Sequence, residues 1–311
     1  MTTGVHVSSG PLSEPIHDPE APLATKEPQF ELQRPTPDDL TGKVAVVTGG
    51  GWNIGRAIAL AIARAGARVV VASRNLTNLE ETVAIGRAED LKIRPLAGDL
   101  TDPAEVDRVF EDVVANEGGV DVLACLAGGY GAPQPLHEAD PQAWLDVLVR
   151  NVYTTFLCCR AVLQGMLQKR AGDILTCAGG GAFFPMVDVH ATAYACSKAA
   201  ICRFTDQLYA EHRNVAGLRI NCIEPGMTLS PLDLSRIEEE EKRTGQVNPA
   251  RERNHAPEDA AELVLWLLSP AARGINGRIL STDEDWWRDG TKVAQVVPSD
   301  LYRLRRTFLP E

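Results

Sequence analysis

Basic side chains are in short supply in this sequence. Lysine and arginine together number 31 against 42 aspartates and glutamates, a formal charge of −11. That balance argues against nucleic acid or an anionic membrane as the main partner, because both recruit cationic surfaces. Residues 302–306 (YRLRR) are a local exception, read as a solvated or intersubunit helix rather than a phosphate-binding patch. Long apolar runs are missing too, and none reaches the ~18 residues that a membrane-spanning helix needs. The first residues show no basic patch followed by an apolar stretch, so no secretory leader is read and the cytoplasm is the expected location. Cysteines occur at 125, 158, 159, 177, 196, 202 and 222, with no Cys-x-x-Cys pair and no Cys/His cluster of zinc spacing. No metal is expected, and most of these thiols read as small core hydrophobes in a reducing compartment.

What is present is the composition of a globular α/β protein: 311 residues, 44% hydrophobic and 23% charged, with 26 Gly and 20 Pro. Residues 1–36 are rich in Pro, Ser and acidic groups without an apolar period, and read as a flexible N-terminal arm. From there apolar runs at 43–48, 68–73, 91–97, 120–126, 173–178, 218–223 and 278–282 alternate with helical patterns at 54–65, 76–89, 103–116, 141–169, 192–213 and 257–268. Asp102-Pro103, Asp140-Pro141 and Ala256-Pro257 each put Pro at a first helical position. Continuously apolar strands alternating with helices predict a parallel sheet covered on both faces. The expected fold is a single doubly wound, Rossmann-type domain over 37–285, followed by a C-terminal extension over 286–311.

The first strand runs into TGGGWNIG (48–55). A glycine-rich turn between strand and helix lets backbone N–H groups approach a pyrophosphate at the helix N-terminus, which selects Gly49, Gly51, Trp52, Asn53 and Ile54. Asn53 stands where a further glycine would be usual, and Asn tolerates positive φ better than other non-glycine residues. After the second strand come Ser73, Arg74 and Asn75 in place of the carboxylate that favours NAD, so NADP is expected over NAD.

Tyr194 and Lys198 stand four residues apart, on one face of the predicted helix 192–213. An ammonium near a phenol stabilises the phenolate and suits a tyrosine that exchanges protons. The stretch before it, Ala178-Gly-Gly-Gly181, offers no hydroxyl for a substrate oxygen. Thr176 is expected to alternate away within its strand, and Thr192 precedes the tyrosine by half a helical turn.

These motifs, with GDLTD (98–102), CLAG (125–128), Asn151 in RNVYTTF, YACSK (194–198) and EPGMT (224–228), resemble the short-chain dehydrogenase/reductase family over about residues 38–285. The resemblance implies that Tyr194 is the general acid or base, that Lys198 lowers its pKa and binds the nicotinamide ribose, and that Asn151 holds a water leading to solvent. It implies cofactor contacts from Asp99 and Leu100 at the adenine end, from Ala127 and Gly128, and from Pro225, Gly226 and Thr228 at the nicotinamide end. Cys125 replaces a side chain that braces the central strand. Ala178 stands where the family's catalytic serine is expected. Ala178, Phe183 and His190 are candidate substrate contacts, Phe184 and Met186 candidate pocket lining, and Glu238–Glu241 a solvated helix face. Trp286 and Trp287 either close the pocket or meet another subunit.

The leading expectation is an NADP-dependent oxidoreductase that moves hydride between nicotinamide and an apolar ketone or secondary alcohol. The alternatives are a non-redox protein on the same fold (isomerase, dehydratase or binding module) and a reductase trapped by a serine-to-alanine change. A homotetramer or homodimer is expected through helices 141–169 and 192–213, with Ala199, Ala200, Ile201, Phe204 and Leu208 suited to close packing.

Overall fold

The computed structural model describes residues 39–187 and 189–305. The arm read over 1–36 lies outside the described residues. Seven parallel strands form one sheet in the order β3-β2-β1-β4-β5-β6-β7: β1 Val44–Thr48, β2 Arg68–Ser73, β3 Ile93–Ala97, β4 Val122–Cys125, β5 Ala171–Cys177, β6 Gly217–Glu224 and β7 Ile279–Ser281. β1 pairs with both β2 and β4, so the strand order reverses beside it. All C-terminal strand ends therefore meet at one edge, where a doubly wound sheet opens a crevice.

The helices are α1 Asn53–Arg64, α2 Leu76–Ala88, α3 Pro103–Glu117, α4 Pro141–Leu148, α5 Thr154–Lys169, α6 Thr192–His212, α7 Pro231–Thr244, α8 Pro257–Leu268 and α9 Gly290–Val296. Asp102 and Asp140 cap α3 and α4 by accepting from the Ala104 and Ala143 amides, each followed by Pro. α7 starts in a reciprocal capping box of Ser230 and Asp233 and buries none of its side chains, so Glu238–Glu241 lie on a solvated helix. The central strands are apolar throughout, and Val46, Leu123, Ile174 and Ile220 join side chains of α3 and α5 in one core cluster. Thr176 is turned away from the crevice; its hydroxyl lies 2.6 Å from that of Thr205.

Three sequence expectations change. The helix read over 141–169 is not continuous, because a π turn, Val149–Tyr153, separates α4 from α5. The segment beyond 285 packs onto the sheet domain, since residues 39–304 lie in one compact unit. Trp286 and Trp287 are buried against Trp266 of α8, and Tyr302 stacks on Trp286 at 4.5 Å. Thus the two tryptophans neither close the crevice nor offer themselves to a second subunit. Residues 302–305 are not helical, and Arg303 lies over the Tyr209 ring at 4.8 Å.

Arg278 ties this segment to the sheet. It is 1% exposed and donates to the carbonyls of Val296, Val297, Ser299 and Leu301 at 2.6–3.1 Å. Replacing it with Met leaves buried carbonyls without donors, and Arg278→Met is expected to cost about 2–4 kcal/mol in urea unfolding. An unchanged midpoint would show that water satisfies these carbonyls unaided.

Candidate active site

The sequence-predicted residues gather where the strands end, though not all face the crevice. Gly49 follows β1 with φ +69°, and a Cβ there would lie 2.9 Å from the Ala127 amide nitrogen. At Gly51 it would meet Asn78 of α2 at 3.0 Å, and at Gly55 it would overlap the carbonyl of Gly49. The turn is thus folded back on itself with no room for side chains. Asn53 takes φ +43°, as its position in the turn requires, and its amide reaches the Thr228 carbonyl at 3.4 Å, joining this turn to the segment after β6. Unlike α2, α3 and α4, α1 begins without a side-chain cap, with Trp52 at the cap position, and its first turn carries no acidic residue. Its first N–H groups remain available, which suits a pyrophosphate.

At the neighbouring strand ends, Ser73 closes β2 and Arg74 is exposed. Asn75 is committed to capping α2, where it accepts from the Asn78 amide at 3.1 Å. Burial pushes the Asp99 carboxyl up, but bonds from the Thr101 amide and hydroxyl, with the charge of Arg74, hold it below its ordinary value. The Leu100 side chain is buried in the core cluster. Thr48 braces the end of β4, its hydroxyl donating to Ala124 and accepting from the Ala127 amide. Cys125 is buried beside Cys159 of α5, and the hydrogen bond with Cys159, followed by burial, pushes its thiol up.

Tyr194 and Lys198 share one face of α6, and the Lys198 ammonium lies 5.5 Å from the Tyr194 ring centre. Lys198 is 7% exposed and donates to the Cys177 carbonyl at 3.0 Å, at the very end of β5. Burial opposes its charge, yet Cys177 and Tyr194 around it hold the ammonium above its ordinary pKa. For Tyr194 burial dominates. The phenol is pushed up despite the pull of Lys198, so the expected lowering is reversed in net direction.

Asn151, in the π turn, is fully buried. Its amide oxygen accepts from the Gly129 amide at 2.8 Å, while its nitrogen donates to the Gly129 carbonyl and to the Ser197 hydroxyl. Ser197 in turn donates to the Tyr194 carbonyl at 2.7 Å. Gly128 has no space for a side chain, since a Cβ there would sit 2.5 Å from Asn151 Oδ1.

Residues 178 and 179 depart from expectation. The Ala178 side chain belongs to a buried apolar cluster with Ile201, Cys202, Cys222 and Ile279, so it does not face the phenol. Gly179 does: a Cβ built there would lie 2.6 Å from the Tyr194 hydroxyl and 3.4 Å from Lys198 Cε. Thr192 accepts from the Trp144 indole at 3.0 Å. Phe183 and His190 are exposed on the segment between β5 and α6, and the His190 carbonyl accepts from Gln134. Pro225 and Gly226 follow β6. A Cβ on Gly226 would meet His255 at 2.5 Å, and His255 is itself held between Asp259 and Asp283. Sequence reasoning missed Gly179, Ser197, His255 and Tyr130, whose ring centre lies 4.6 Å from that of Tyr194.

Residues 43–241 match the short chain dehydrogenase family. The chain belongs to the short-chain dehydrogenase/reductase family. The enzyme is 34% identical to a probable short-chain type dehydrogenase/reductase of Bradyrhizobium diazoefficiens, over 78% of this chain and 86% of that one. It is 31% identical to galactitol 2-dehydrogenase of Rhizobium johnstonii, over 78% of this chain and 95% of that one. Among solved structures it superposes with TM-score 0.71 on L-sorbose reductase from Gluconobacter frateurii complexed with NADPH and L-sorbose, at 28% identity, covering 79% and 96% of the two chains. This short-chain dehydrogenase/reductase is an NAD(P)-dependent oxidoreductase.

Glu224, at the end of β6, adds a titration to the site. Its carboxyl is pushed up to about 7, first by burial and then by Asp283 and Glu284. Unfolded, it ionises near its ordinary 4.5, whereas the folded enzyme holds the proton until about 7. Its contribution to stability is therefore full below pH 4.5 and is lost as pH rises through 7. Glu224→Gln is expected to stabilise the enzyme by on the order of 1–3 kcal/mol at about pH 8 and to leave it unchanged at about pH 4. Urea unfolding at the two pH values checks this, and an equal effect at both would assign the change to packing.

Proposed function

We propose that this enzyme is an NADP-dependent reductase of apolar ketones, with Tyr194 as proton donor. The observation that carries the reading is the Tyr194–Lys198 pair, seated on α6 against the end of β5 with the lysine buried and bonded to Cys177. Gly49, Gly51 and the uncapped start of α1 would hold the pyrophosphate, Ser73 and Arg74 the 2′-phosphate, and the segment from Pro225 to Thr228 the nicotinamide end. When bound, the reduced cofactor supplies hydride to the carbonyl carbon. Tyr194 gives its proton to the carbonyl oxygen, and a phenol pushed up by burial is protonated at neutral pH, the form that reduction needs. Lys198 keeps a positive charge beneath the phenol and so stabilises the phenolate left behind.

The apolar substrate class is supported by exposed Leu136, Phe183, Phe184, Val187, Met227 and Leu232, which lie on the segments after β4, β5 and β6. A homo-oligomer is supported by the α5 face, where Phe156 is exposed and stacked on Tyr153. Ile201 and Leu208 are buried in the chain's own core and take no part in such packing. The position facing the phenol is Gly179, and on this reading Ala178 is not the site of a lost serine. The non-redox alternative gains no support, because Tyr194, Lys198 and Asn151 converge on the same strand ends.

Two measurements test the reading. Arg74→Ala is expected to weaken NADPH binding at least about tenfold and NADH binding by less than about twofold in calorimetry. Equal losses would remove Arg74 from the 2′-phosphate. Tyr194→Phe should lower NADPH-dependent ketone reduction by about 10²–10⁴. Gly179→Ala should lower it at least about tenfold by pressing a methyl group on the phenol, whereas Ala178→Ser should give no gain and only lose stability, by roughly 1–2 kcal/mol. Full activity in Tyr194→Phe would sink the proton-donor assignment.

A further inference from the structure

The crevice holds a second phenol that the motifs do not account for. Tyr130 lies in the segment after β4, with its ring centre 4.6 Å from that of Tyr194 and the two planes tilted by 45°. It is fixed from both sides. Gly129 exchanges two hydrogen bonds with the buried amide of Asn151, and Gly131, at φ +77°, packs so closely on Val147 that a Cβ would lie 2.5 Å away. The same Asn151 reaches Ser197, which holds the Tyr194 carbonyl, so one buried amide sets the backbone positions of both phenols. Tyr130 is 37% exposed at the crevice, and burial with the neighbouring Tyr194 keeps its hydroxyl protonated well past neutrality. Position 179, the backbone facing Tyr194 from β5, carries no side chain at all and has no room for one.

We propose that Tyr130 is a catalytic residue, its hydroxyl donating a hydrogen bond to the substrate carbonyl oxygen opposite Tyr194 in place of a hydroxyl on the β5 side. This inference rests on the ketone-reductase reading. Tyr130 transfers nothing: the carbonyl oxygen takes its proton from Tyr194, and the Tyr130 O–H bond stays intact while its dipole stabilises the charge that develops on that oxygen. Such a donor acts in the transition state more than in the bound ketone, so its loss falls on kcat rather than KM.

The test follows NADPH absorbance with the full chain and 2-tetralone, a bicyclic apolar ketone, with 2-octanone and cyclohexanone alongside. Tyr130→Phe keeps the ring against Tyr194 and removes only the hydroxyl. The expected result is a fall in kcat of about ten- to a hundredfold with KM changed by less than about threefold. Tyr130→Leu, which also loses the ring, should raise KM as well. Unchanged kcat in Tyr130→Phe overturns the assignment while the reductase reading stands, and a rise confined to KM reduces Tyr130 to packing against the substrate and likewise overturns it. A parent enzyme that binds NADPH but consumes it with none of the three ketones overturns the reductase reading for this substrate class, and this inference with it.

Discussion

The site depends on one buried amide. Asn151 is fully inaccessible, yet both ends of its side chain are bonded, to both polar groups of the Gly129 backbone and to Ser197. Its own carbonyl takes the Thr155 hydroxyl at 2.7 Å. A buried amide with any of these partners missing costs roughly 1–3 kcal/mol, so the network holds as a unit. The π turn from Val149 to Tyr153 is its local consequence, since an extra residue in the helix aims Asn151 across to the chain leaving β4. Two segments that approach the crevice from opposite sides are thereby held to one reference point.

Against that frame of fixed backbone, the chemistry of Tyr194 is a contest between burial and charge. Burial raises the phenol, Lys198 lowers it, and burial prevails. Burial works against the charge of the lysine, but the electrostatic pull of Cys177 and Tyr194 holds the ammonium above its ordinary value. The absence of a side chain at Gly179 belongs to the same balance: the tyrosine hydroxyl fills the volume a Cβ would take.

Much of this was legible in the sequence for physical reasons. Strands buried on both faces must be continuously apolar, so β2 appeared with its exact bounds, 68–73, and the others within about two residues at most ends. The Tyr–Lys pair was legible because four residues is one helical turn. The π turn was not, because nothing between 149 and 153 interrupts the helical pattern and its cause lies 22 residues away at Gly129. Which of residues 178 and 179 faces Tyr194 was not legible, because side chains alternate in extended backbone and a run of three glycines gives no apolar pattern to fix the phase. Trp286 and Trp287 were ambiguous because their partner, Trp266, is contributed by α8 across the chain fold.

The strand order has a consequence for how the molecule comes to exist. β1 finds one neighbour, β2, a single helix later, but its other neighbour is bonded across 77 residues, as when the Val44 amide reaches Asp121. Until β4 has been synthesised, the first strand has an open hydrogen-bonding edge, and the crevice has only one wall. Non-local parallel pairing is slow to close, and folding intermediates with open edges invite mispairing. The far edge closes later still, because the carbonyls that satisfy Arg278 beside β7 lie at 296–301. A chain released before those residues would lack the carbonyls of Val296, Val297, Ser299 and Leu301 that Arg278 bonds in the folded enzyme, so this corner of the core waits on segments 18 to 23 residues further along the chain.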